Sequence, residues 1–128
     1  GTFDTFFGDK ILFVGHGTVI AGIDMEKLQP EHMRYENGVL TVNLPPAEIF
    51  IAALDNDKSY VYDRQTGILT KPDPNLETLV RQKAEEEILK AAIENGILEQ
   101  AKVNAEGYLT RFFAALGFPN VIFVSDPG

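Results

Sequence analysis

The chain has 128 residues, no cysteine and a formal net charge of −8 from 19 acidic and 11 basic side chains. Without cysteine there can be no disulfide, no thiolate metal site and no cysteine nucleophile. Neither half of the chain is basic, so the cationic face needed to hold nucleic-acid phosphates or an anionic membrane surface is missing.

At 45% hydrophobic and 23% charged residues, the composition is that of a globular chain. A chain of this length buries about two-thirds of its unfolded surface, enough for one core without staples. A single domain over 1–128 is expected, with residues 1–7 poorly ordered. No apolar run reaches the ~20 residues that a membrane helix requires. The chain opens Gly1-Thr2 rather than with methionine, so N-terminal trimming is expected.

From Lys10 to Asp24, apolar β-branched residues dominate and glycines interrupt any 3.6-residue period. This predicts one long strand, or two short ones, bent near Gly15-His16-Gly17. The next signal is Asn37-Gly38, the two positive-φ residues of a type I′ hairpin. Registering the arms about it pairs Tyr35 with Leu40, Arg34 with Thr41, Met33 with Val42 and His32 with Asn43. One face then carries Met33, Tyr35, Leu40, Val42 and Leu44. The other carries His32, Arg34, Glu36, Thr41 and Asn43, with Val39 its one apolar member. Pro45-Pro46 must end that strand, because two prolines cannot donate to a ladder.

Strand character resumes at 48–54 and again at 59–63. Asp55-Asn56-Asp57-Lys58 between them is turn chemistry, and 66–74 reads as a loop. Then the period changes. Asp73 as N-cap and Pro74 at the first helical position start a helix. Its stripe is Leu76, Leu79/Val80, Ala84, Ile88 and Ala91, opposite Arg81, Lys83, Glu85, Glu86 and Lys90. Asn95-Gly96 is a left-handed stop. A second stripe follows in Leu98, Ala101, Ala105, Leu109, Phe112 and Leu116, ended by Gly117. Phe112 is expected in the core, Arg111 in solvent, and Phe113 partly exposed. Val121-Ile122-Phe123-Val124 is a short buried strand. The expected class is α+β: an antiparallel or mixed β-sheet with two C-terminal helices packed on one face and a final short strand returning to the sheet.

Candidate chemistry is sparse. Gly15-His16-Gly17 follows a strand, but a dinucleotide loop needs Gly or Ala where Ile20 stands and a helix directly afterwards. Asp55, Asp57, Ser59 and Asp63 could offer oxygens to calcium, yet Tyr60 and Thr66 stand where an EF-hand needs its glycine and bidentate glutamate. His16 and His32 have no metalloprotease spacing, and His32 falls on the wet face of the hairpin. An acid–base pair of His16 with Asp24 would still need a nucleophile or a bound substrate. Ser59 and Ser125 lack a nucleophile-elbow context. Glu85-Glu86-Glu87 is a solvated helix face. No catalytic, cofactor-binding or metal site is assigned, and no cofactor is expected.

Three strings occur in order: Ala21-Gly22-Ile23-Asp24-Met25, Leu44-Pro45-Pro46-Ala47-Glu48-Ile49, and Ala105…Leu109…Leu116-Gly117-Phe118…Val121. Together they resemble the family catalogued as domain of unknown function 4230 (DUF4230), from about Phe7 to Val124. Members usually read Leu where this chain has Met25, and carry more strand upstream of Phe7. The resemblance implies a bacterial protein held outside the cytoplasm, in the cell envelope, by an N-terminal transmembrane segment absent here. It implies no activity for any residue. The preferred expectation is a non-catalytic binding or assembly module whose partner is an unknown protein. Its rivals are a hydrolase-like enzyme using His16/Asp24 or the Asp55-Asp57-Asp63 cluster, and a self-associating domain using the Phe112-Phe113 pair and exposed strand edges.

Overall fold

A computed structural model describes residues 2–7, 11–55, 59–63, 69–70 and 78–125. The chain divides into two compact units, one of residues 1–20 and 50–95, the other of residues 21–49 and 96–128.

The first unit is built on antiparallel pairing. Strand β1 (Thr2–Phe7) pairs with β2 (Ile11–Gly22) in the register Phe7↔Ile11 to Thr2↔His16. β2 is one continuous strand through Gly15-His16-Gly17. Strand β5 (Glu48–Leu54) also pairs with β2, as does β6 (Tyr60–Asp63), which in turn pairs with β7 (Leu69–Thr70) inside the segment expected to be loop. Helix α1 (Thr78–Glu94) belongs to this unit, with Ala84 and Ile88, one turn apart, both buried. The expected N-cap Asp73, Pro74 and Leu76 lie outside the described residues, as do the side chains of Leu79 and Val80. Gly96, at φ +86, ends α1 in the left-handed region as its sequence requires.

The second unit holds the hairpin. Strands β3 (Met33–Glu36) and β4 (Val39–Leu44) pair in the expected register, about Asn37 at φ +53 and Gly38 at φ +78. His32 is not part of it: Pro30–His32 forms a 3-10 turn, which the Pro30 ring favours, so no His32–Asn43 pair forms. Pro45-Pro46 ends β4 at Leu44. Strand β8 (Val121–Ser125) runs parallel to β4, from Leu40↔Val121 to Leu44↔Ser125, giving a mixed three-stranded sheet. Helix α2 (Ile97–Ala115) covers its inner face. The core is Ile23, Leu40, Val42, Leu44 and Leu109, with Met33, Phe113, Phe118 and Phe123 packed around it. Burying Val42 and Leu44 contributes about 1.5–3 kcal/mol each.

The fold is thus α+β, with antiparallel and mixed pairing, two helices in the C-terminal half and a last strand returning to a sheet. The strands divide into two sheets, however, and each unit holds one helix. Among the described residues no helix is long and apolar enough to cross a membrane.

Candidate functional site

Three of the side chains singled out by their chemistry, those of Ser59, Asp24 and His32, are committed to local structure. Ser59 is 1% exposed. Its hydroxyl accepts the backbone N–H of His16 at 3.0 Å and donates to the Asp55 carbonyl at 2.7 Å. The Asp55 N–H in turn donates to the His16 carbonyl at 2.7 Å. The hydroxyl therefore closes the backbone where β5 leaves β2 and has no geometry for attack. Asp24 caps the 3-10 turn Met25–Lys27, its Oδ1 accepting the Glu26 N–H at 3.0 Å. His32 Nδ1 accepts the Gln29 N–H at 2.9 Å, a local cap, so the ring is half-buried rather than solvated on a hairpin face.

The remaining candidates form no group among the described residues. Asp57 lies outside the described residues, and Asp63 ends β6 opposite Ile11. Ser125 is exposed at the end of β8. Glu87 accepts an ion pair from Lys83 at 3.2 Å, one helical turn away. Among the described residues no group of three or more His, Asp or Glu could hold a metal ion.

What does converge is apolar, and it lies on α2. Leu109 is 5% exposed and faces the sheet. Phe113, about 40° further round the helix, packs on the same core. Phe112 was expected there and is instead 46% exposed. The reason lies in the helix end. Gly117, at φ +100, is a Schellman cap: the Phe118 N–H donates to the Phe113 carbonyl at 2.8 Å and the Gly117 N–H to the Ala114 carbonyl at 3.1 Å. That motif brings the residue after the glycine against the third-last helical residue. Phe118 and Phe113 are that pair, so Phe113 turns inward and Phe112 outward. Gly117 signals the cap in the sequence, but Phe113 is drawn inward because it and Phe118 both pack on the core.

Phe112 is not loose. Its ring stacks on Tyr108 with centroids 6.4 Å apart and planes 11° apart, and meets Phe113 edge-on at 5.6 Å. Tyr108 is 61% exposed, and Met25 is exposed beside it. Next to this pair, a concavity of about 340 Å³ opens between α2 and the segment 21–25. Gly22, Met25, Ala101, Asn104, Ala105 and Tyr108 line it. Its walls are small or apolar and carry no ionised side chain. A second concavity, about 220 Å³, lies between Leu44-Pro45-Pro46 and the start of α2, where Glu99 and Lys102 place opposite charges side by side. Elsewhere in this unit, a 2.6 Å hydrogen bond to Glu48, and then its charge, raises Lys27 above its ordinary value.

The chain is therefore an α+β protein of two small units, one of which presents an uncharged concavity flanked by exposed aromatic rings. Residues 1–123 match the family described as protein of unknown function (DUF4230), and the chain belongs to that family. No curated protein matches the chain, and no solved structure does.

Proposed function

We propose that this chain is a non-catalytic binding or assembly module of the bacterial cell envelope, and that it binds a protein through the outer shoulder of α2. One observation supports this. Tyr108 and Phe112 stand exposed as a stacked pair beside a concavity lined by Ala101 and Ala105. Large apolar side chains gathered at an open concavity mark interaction sites more often than isolated ones do, and rigid aromatic rings are the usual anchors of such contacts. The envelope placement rests on the family resemblance, which implies an anchor upstream.

The test is site-specific crosslinking in cells making the native protein. A photoreactive residue replacing Tyr108 should yield covalent adducts with a protein. The same residue replacing Gln82, exposed on α1, should not. No adduct at 108, or equal adducts at both positions, overturns the proposal.

A further inference from the structure

His32 stands where a titratable ring changes what the backbone can do. Gln29 is the N-cap of the 3-10 turn Pro30–His32, so His32 holds its third position, where a capping box carries glutamate or glutamine. Its Nδ1 takes their role and accepts the Gln29 N–H at 2.9 Å, while the Gln29 carbonyl accepts the His32 N–H at 2.9 Å. Glutamine accepts such a bond at any pH. A histidine nitrogen accepts one only while it carries no proton. From this we infer that His32 is a proton-operated latch: neutral, it fixes the segment from Asp24 to His32; protonated, it releases that segment and with it the Met25 wall of the groove.

The segment is held by a chain of local bonds. Asp24 Oδ1 accepts the Glu26 N–H at 3.0 Å, and the Gln29 side-chain amide donates to the Glu26 carbonyl at 2.7 Å. Gln29 is therefore the joint between two 3-10 turns: its side chain braces the first, and its backbone is held by His32 in the second. Met25 opens the first turn and lines the groove of about 340 Å³ beside α2. Losing the His32 bond frees the Gln29 backbone, and the amide that braces Met25–Lys27 moves with it. The Lys27–Glu48 pair at 2.6 Å still tethers the segment, so the release is local and the fold survives it.

Mild acid acts on this segment through His32. The chain around it carries Asp24, Glu26, Lys27 and Glu31, then Arg34, which lies 3.6 Å from Glu36. β4, which packs against the Pro30–His32 turn, has no titratable side chain, and His16 belongs to the other unit. Carboxylates, lysine and arginine hold their charge through the range around about 6.5 in which a histidine titrates. A proton on Nδ1 sets the ring N–H against the Gln29 N–H with no acceptor between them. The bond is thus present above the histidine range and lost as pH falls through it. The binding-module reading gives the groove its purpose, and on that reading the latch makes capture of the partner pH-dependent; the bond itself does not rest on it.

Amide exchange with water, read at Gln29 by NMR on the full chain, tests this at about pH 8 and about pH 5, either side of the histidine range. Protection is taken relative to the unfolded exchange rate at each pH. In the parent chain it should fall about fivefold between the two, the equilibrium worth of one ordinary hydrogen bond. His32→Gln should keep the same protection at both, because its amide oxygen accepts the bond without titrating. His32→Ala should lack it at both. The Met25 methyl resonance should move with pH in the parent and stay still in His32→Gln. Equal pH dependence in the parent and His32→Gln overturns the inference, as does a parent protected alike at both pH values, or a Met25 methyl that ignores the release of Gln29. No partner enters the measurement, so a chain that crosslinks nothing from position 108 refutes the binding module and leaves the latch intact.

Discussion

Gly17 of β2 lies directly under Ile88 of α1, so closely that a Cβ on Gly17 would collide with Ile88 Cδ1 and stand 2.9 Å from the Ala53 carbonyl oxygen. The absence of a side chain there is what lets α1 settle on the first unit's sheet. Gly17→Ala should therefore cost about 1–3 kcal/mol through overpacking, because the backbone of Ala53 cannot step aside as a side chain could. Chemical denaturation gives the answer, and an unchanged midpoint would show that α1 does not pack tightly at this point.

The hairpin depends on Gly38 for a different reason. Nothing crowds its missing Cβ, but its φ of +78 follows Asn37 at +53, the pair of left-handed residues that a two-residue turn needs. A β-branched residue at that φ is strained by about 1–3 kcal/mol. Gly38→Val should lower the melting temperature accordingly, and a melt identical to that of the parent chain would contradict the type I′ geometry.

The two adjacent phenylalanines of α2 should behave oppositely. Phe113 packs on the core, so Phe113→Ala should cost roughly 3 kcal/mol, the low end for a phenylalanine truncation because the ring is only half-buried. Phe112→Ala removes an outward ring and should cost about 1 kcal/mol or less in a dilute sample. Equal losses for the two would mean that Phe112 is part of the core.

Ser59 offers a test of structure against catalysis. Ser59→Ala removes both bonds of a buried hydroxyl, the one accepted from the His16 N–H and the one donated to the Asp55 carbonyl, at a cost of about 1–3 kcal/mol. Stability to urea should fall by that amount. A variant as stable as the parent would return the hydroxyl to consideration for chemistry.

The Lys27–Glu48 pair predicts a pH effect of definite sign. Glu48 raises the Lys27 pKa above 10.5, first by hydrogen bonding and then by charge. A raised lysine stabilises the fold fully below its unfolded value of 10.5, and that stabilisation is lost as pH climbs through the raised value. Glu48→Gln should therefore leave less stability to lose on the alkaline side. Because both groups are exposed, the difference should be small and should shrink in salt. A parent chain and variant whose stability differs by the same amount at neutral and strongly alkaline pH would refute it.

Much of the fold was written locally. Asn37-Gly38 dictated the turn and the register of β3 on β4, because two positive-φ residues leave one way to join the arms. Pro45-Pro46 ended β4, and Asn95-Gly96 separated the helices, for equally local reasons. The family strings and the absence of cysteine were likewise readable in one dimension. The candidate site was legible only in part. The apolar arc of α2 runs from Asn104 round to Phe113, wider than one sheet can cover, and spacing alone cannot say which half is covered. That choice belongs to the tertiary structure: the Schellman cap at Gly117 ties Phe118 to Phe113 and draws that side onto Leu109, leaving Tyr108 and Phe112 outside. The division of the strands between two sheets was decided in the same way. Strand pairing is made between segments far apart in sequence, so the partner of β8 and the burial of Ser59 depend on where the chain returns, not on what any segment contains.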